Sequence, residues 1–188
     1  MGLERTLREF GAAVAELNDR AGELRLAAVV DRPETNDAAI CDSLEYAVED
    51  FVGWLRETRE AARAAERAVK PSLDMDQARR ALTVCQDRFE RAGQVFSCNL
   101  ADSGRLRELA GFAQKRRGEW PSWVTSVRQG IDQCRRPVEE SRRKLAECWQ
   151  EIAERAGATS INVWNGAAEQ NVAGGEREAP YLVGEEFK

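Results

Sequence analysis

Residues 3–24, LERTLREFGAAVAELNDRAGEL, set Leu3, Leu7, Phe10, Val14, Leu17, Ala21 and Leu24 at alternating steps of four and three. A helix gathers such positions onto one stripe, whereas a strand would scatter them over both faces. The stripe predicts a helix from about residue 2 to 30 with one side against a partner. DRPETN (31–36) ends it, because Pro33 disfavours helical backbone in the residue before it.

The same rhythm continues on the C-terminal side. Cys41, Leu44, Val48, Phe51, Leu55, Thr58, Ala62, Ala65 and Val69 form a second stripe, widened by Ile40, Ala47, Trp54 and Ala61. A face that wide suits a helix packed against two neighbours. Asn36 or Asp37 can cap its start, and Pro71 marks its end. A third helix begins at Ser72 or Asp74, with Gln77 placed to complete a capping box with Asp74. It carries Met75, Ala78, Leu82, Cys85, Phe89, Ala92 and Phe96. The pattern weakens over SCNLADSG (97–104). Asp102 or Ser103 can cap a new helix with Leu106, Leu109, Phe112 and Ala113, ending near Gly118. The last helix starts near Trp120-Pro121, where proline's missing N–H costs little. Val124, Val127, Ile131, Cys134, Val138, Ser141, Leu145, Cys148 and Ile152 follow. Pro137 lies inside this run and predicts a kink, and Gly157 supplies a stop.

Short connections between long helices imply antiparallel neighbours. The expected fold is all-α: an antiparallel bundle of about four long helices over 1–157, the third broken near residue 100. A three-helix arrangement with an extended hairpin is the alternative. The core should contain Leu7, Phe10, Leu17, Leu44, Val48, Phe51, Leu55, Leu82, Phe89, Phe96, Val127, Ile131, Leu145 and Ile152. Residues 158–188 carry no helical stripe and are expected to form an irregular tail, either flexible or docked onto the bundle or a partner. In it Ser160 to Trp164 reads as extended, Asn165-Gly166 as a turn, and Tyr181, Leu182 and Val183 as a small apolar cluster among glutamates.

The 188 residues include no histidine. That removes the commonest general base, the Ser-His and Cys-His pairs and histidine-based metal sites. The five cysteines show no C-x-x-C spacing. Cys41, Cys85, Cys134 and Cys148 fall on core stripes, where a free thiol packs as a small hydrophobe. Cys98 sits where the third rod breaks and is the one candidate for a reactive thiol. No phosphate-binding glycine loop appears. Catalytic residues, metal ligands, cofactors and a small-molecule substrate are therefore not expected. No apolar stretch approaches the roughly 20 residues that span a bilayer, and MGLERTLREF lacks the apolar core of a secretory signal. The default compartment is the cytoplasm. Arginine greatly outnumbers lysine, as in GC-rich bacterial genomes.

Charge is unevenly spread. Residues 105–144 hold 11 Lys+Arg against 5 Asp+Glu, although the chain carries a net charge of −5. Lys115, Arg116, Arg117, Arg135, Arg136, Arg142, Arg143 and Lys144 could hold phosphates or an anionic surface. They could equally pair with acidic helices of the same bundle, a reading that needs no further partner. Trp120 and Trp123, beside a turn, are candidate protein-binding residues, since tryptophan is enriched at interface hot spots. Trp164, Tyr181, Leu182 and Val183 of the tail join them. These features point to a non-catalytic interaction or assembly module that binds a protein partner or itself. A nucleic-acid or anionic-surface binder using 105–144 is the alternative.

Trp164-Asn165-Gly166 has the form W-x-G, and Tyr181 with Glu185 has the form Y-x-x-x-[DE]. The pair resembles elements of the small helical substrates of type VII secretion, which would make this chain a secreted helical protein. In that family W-x-G lies in the turn between two helices, whereas here it follows the bundle. Tyr46 and Asp50 fit the second pattern inside a helix.

Overall fold

A computed structural model of the chain describes residues 2–33, 39–70, 74–101, 104–115 and 120–155. About 94% of them are helical. The elements are α1 (Leu3–Arg25), α2 (Ala39–Val69), α3 (Met75–Gln94), the short α4 (Arg105–Gln114) and α5 (Trp120–Arg155). α1 and α3 each run on into a π-helical turn, at Leu26–Val30 and Val95–Ala101. The third rod is thus broken beyond Ala101, as its weakening stripe indicates, and α4 is the fragment that follows.

The four long rods run alternately up and down. Ion pairs fix the register of three seams: Arg25–Glu49 at 2.7 Å between α1 and α2, Arg88–Glu57 at 3.1 Å between α2 and α3, and Lys144–Glu9 at 2.6 Å between α5 and α1. α2 packs closely against both α1 and α3, and α1 also packs against α5. The fourth seam, α3 against α5, brings the two backbones close at only a few places.

All fourteen residues expected in the core are buried. The rings of Phe51 and Phe96 lie 5.2 Å apart and join α2 to the end of the third rod. Asp74 caps α3, its side chain accepting from the Gln77 N–H at 2.9 Å. That leaves one fewer orphan donor in the first turn. The other proposed caps, Asn36, Asp37, Ser72, Asp102 and Ser103, lie outside the described residues. α5 continues through Pro137, which is itself buried. Proline has no N–H to offer the carbonyl of Gln133, and that residue is exposed, where water can replace the missing donor.

Candidate interaction surfaces

Trp120 and Trp123 open α5, and both are buried. Their rings meet edge to face at 5.4 Å, and Trp120 meets Phe112 of α4 in the same way at 5.1 Å. These aromatics dock the short helix onto α5, so they expose little surface for another chain. Trp123 does a second task. Its indole N–H donates to the Ala27 carbonyl at 2.8 Å. In an α-helix that carbonyl would accept from Asp31, but Asp31 donates one residue further back, to Leu26, at 2.9 Å. The wider turn therefore frees the acceptor that Trp123 uses. The second π turn ends similarly: the Ala101 carbonyl accepts from Arg135 at 3.4 Å. Such turns recur at functional positions, and both lie at the same end of this bundle.

The basic block is largely occupied by its own helix. Arg135 pairs with Asp132, Arg142 with Glu139, and Arg143 with Glu140 and Glu147. Lys144, with a side chain only 15% exposed, bridges Glu147 and Glu9. Hydrogen bonds from Lys144 and Arg5 pull the Glu9 carboxyl down to about 2. Lys115 and Arg136 are exposed. Arg116 and Arg117 lie outside the described residues, as do Trp164, Tyr181, Leu182, Val183 and Glu185.

Large apolar side chains are exposed at Leu26 (53%), Val30 (60%) and Tyr46 (79%), and at Val84 on α3. The first three belong to one end of the α1–α2 pair. Leu26 and Val30 are on the first π turn, and Tyr46 is on the facing stretch of α2, beside Glu45 and Glu49. Those two carboxylates are held by Arg32 and Arg25. Tyr46 also edges an open hollow of about 490 Å³, with Ser43, Ala47, Glu49 and Asp50 of α2 and Asn99 of the second π turn. Sequence reading missed Leu26 and Val30, but the run LAAVV (26–30) holds the signal. A turn that is apolar on every side cannot bury every side.

Arg135, Arg142 and Trp149 recur every seven residues along α5, and the first two reach toward the third rod. Arg135 reaches Ala101, and the Arg142 guanidinium lies 3.7 Å from where a Cβ on Gly93 would stand. Trp149 continues that stripe and packs against the core, yet its indole nitrogen is shielded from solvent and has no hydrogen-bond acceptor. Leaving a buried donor unpaired costs about 1–3 kcal/mol. The Ser141 hydroxyl is likewise shielded and unpaired, within the core.

Cys41, Cys85, Cys134 and Cys148 are buried and Cys98 is exposed. Burial pushes the thiols of Cys85, Cys134 and Cys148 up to about 12, so they stay protonated and inert near neutral pH. No cluster of three or more potential metal ligands and no helix long and apolar enough to cross a membrane occurs among the described residues. Comparison of the chain with known protein families, with curated proteins and with solved structures finds no match.

Proposed function

We propose that the chain is a helical interaction module, an adaptor or assembly subunit, whose contact surface is the end of the α1–α2 pair around Leu26, Val30 and Tyr46. The observation that carries this reading is the exposure of these three large apolar residues at one end of an otherwise charged pair of helices. Leu26 and Val30, one turn apart where α1 ends, and Tyr46, at the same level of α2, offer a partner apolar area at that end of the pair. The surrounding charges suit the rim of such a contact: Arg25, Arg32, Asp42, Glu45 and Glu49 are already paired and partly exposed. They would set orientation more than affinity.

The test is a triple variant, Leu26→Ser, Val30→Ser and Tyr46→Ser, compared with the wild-type chain by light scattering over a concentration series and by capture from the native host. None of the three side chains is needed by the core, so the variant should keep its helicity. It should lose self-association, or lose a partner that the wild type retains through washing. Identical mass and identical captured proteins for both chains would refute this surface.

A further inference from the structure

The outer face of α2 carries a charge pattern that the rest of the bundle does not use. Asp42, Glu49, Arg56 and Arg63 recur every seven residues, with Gly53 and Arg67 at intervening steps of four. This stripe lies opposite the buried row of the helix, and each of its residues is exposed or half-exposed. Its first half is acidic and its second half basic. Arg56, Arg63 and Arg67, with Arg59 beside them, make no ion pair or hydrogen bond to a described residue. Glu57 and Glu66 of the same stretch are held by Arg88 and Lys70, which leaves Glu60 as the carboxylate among these arginines. In the acidic half, Asp42 and Glu49 pair with Arg32 and Arg25 yet stay partly exposed, and Asp50 beside them is exposed. We propose that a second copy of this chain docks on this face, α2 against α2 in opposite directions, about a two-fold axis at Gly53. The proposal rests on the interaction-module reading above and names the partner, but it uses neither Leu26 nor Val30.

Three observations favour a second copy over another partner. The first is register. Glu49 and Arg56 lie four and three residues either side of Gly53, and Asp42 and Arg63 eleven and ten. At ~1.5 Å per residue these are matched distances of about 5 Å and about 16 Å from the axis. A two-fold axis there sets Glu49 of each copy level with Arg56 of the other, and Asp42 with Arg63. Tyr46 and Glu60, each seven residues from Gly53, come level as well, so a phenol that can donate faces the carboxylate left among the arginines. The second is approach. A Cβ at Gly53 would meet nothing within 4 Å. Glycine inside a helix costs stability relative to alanine, and its lack of a side chain lets another backbone come close at the centre of the stripe. The third is the change of sign. A phosphate polyanion or a uniformly acidic helix laid along the arginines would meet the carboxylates of the other half. A partner whose charge reverses at the same place matches the whole face, and an antiparallel α2 is such a partner.

The test is analytical ultracentrifugation of the full chain over a concentration series. The wild type should pass from the mass of one chain to that of two, and raising the salt to about 1 M, where charges are screened within ~3 Å, should weaken the dimer roughly tenfold or more. Arg56→Glu/Arg63→Glu should weaken it at low salt by roughly tenfold or more, since like charges then face each other. Asp42→Arg/Glu49→Arg should do the same, and mixing the two variants should restore a dimer containing one of each. A wild type that stays monomeric overturns the proposal, even if it retains some other acidic protein. So does a dimer indifferent to salt and to the arginine variant, or a failure of the two variants to pair while both keep their helicity by circular dichroism. Should Asp42→Arg/Glu49→Arg not fold, the wild-type and arginine arms still decide, because the substituted arginines make no contact within the chain. Leu26→Ser/Val30→Ser separates this face from the surface proposed above. It should leave the dimer intact, and a dimer lost there but kept in Arg56→Glu/Arg63→Glu would support that surface and overturn this one.

Discussion

Glu9 shows how one side chain ties two helices through charge. Its carboxyl, held down to about 2 by Lys144 and Arg5, favours the folded state at neutral pH. A lowered folded-state value means that this contribution is fully present above the ordinary 4.5 and is lost as pH falls toward 2. Glu9→Gln should therefore lower the unfolding midpoint at pH 7, and the gap from wild type should close as the pH is taken from 4.5 to 2. A gap of constant size across that range in thermal melts would assign the effect to packing instead. Glycine makes a second residue-scale case. A Cβ at Gly130 would stand 3.3 Å from the Leu24 Cα and 3.1 Å from its Cδ1, so α1 and α5 approach each other there because Gly130 has no side chain. Gly130→Leu should cost about 1–3 kcal/mol by forcing the helices apart. Gly111→Ala, on α4 with nothing within 4 Å, should gain about 0.5–1 kcal/mol from helix propensity. Chemical denaturation of the two variants checks both signs.

At the scale of elements, the helices were legible because burial and periodicity carry the same information. Leu3 to Leu24 could only form one stripe, and every residue on it is buried. Asp74 as a cap was legible for a similar local reason, since its carboxylate and the Gln77 N–H are three residues apart. The π turns were not legible. At the first of them the carbonyl left free accepts a tertiary bond from Trp123, 96 residues from Ala27 along the chain, and no local pattern announces it. The same bond helps hold Trp123 inside, and Trp120 packs between Phe112 and Trp123, so these two candidate contact residues by type and position are both buried. An indole beside a helix end finds an acceptor in the last carbonyls, and burial follows. Trp123→Phe keeps most of the ring but removes the donor. It should cost about 0.5–1.5 kcal/mol, the net worth of one hydrogen bond, and change amide exchange at Ala27–Asp31 while leaving α2 and α3 untouched. Unaltered exchange in that turn would show that the π geometry is set by the local sequence and not by the tryptophan.

For the whole molecule, the basic segment was legible as a charge imbalance, but its use was not, because composition does not say where the neighbouring carboxylates point. Of the six described cations in the candidate anion site, Arg135, Arg142, Arg143 and Lys144 each lie within 4 Å of a carboxylate. Exposed pairs of this kind contribute only ~0–1 kcal/mol, so a phosphate could displace them. What it could not remove is the charge of Asp132, Glu139, Glu140 and Glu147, which share the helix with those cations and would sit beside any phosphate bound there. The net charge of −5 adds repulsion at longer range. The chain should therefore bind generic duplex DNA more weakly than about 10⁻⁶ M near physiological salt. Each phosphate contact contributes about −0.9 to the slope of log affinity against log salt, so the few cations left over should keep that slope shallower than about −3. Fluorescence anisotropy over a salt series measures both quantities. Binding tighter than this with a slope of about −5 or steeper would mean that at least six cations release their carboxylates together for phosphate, and the α4–α5 side of the bundle would then be a nucleic-acid surface.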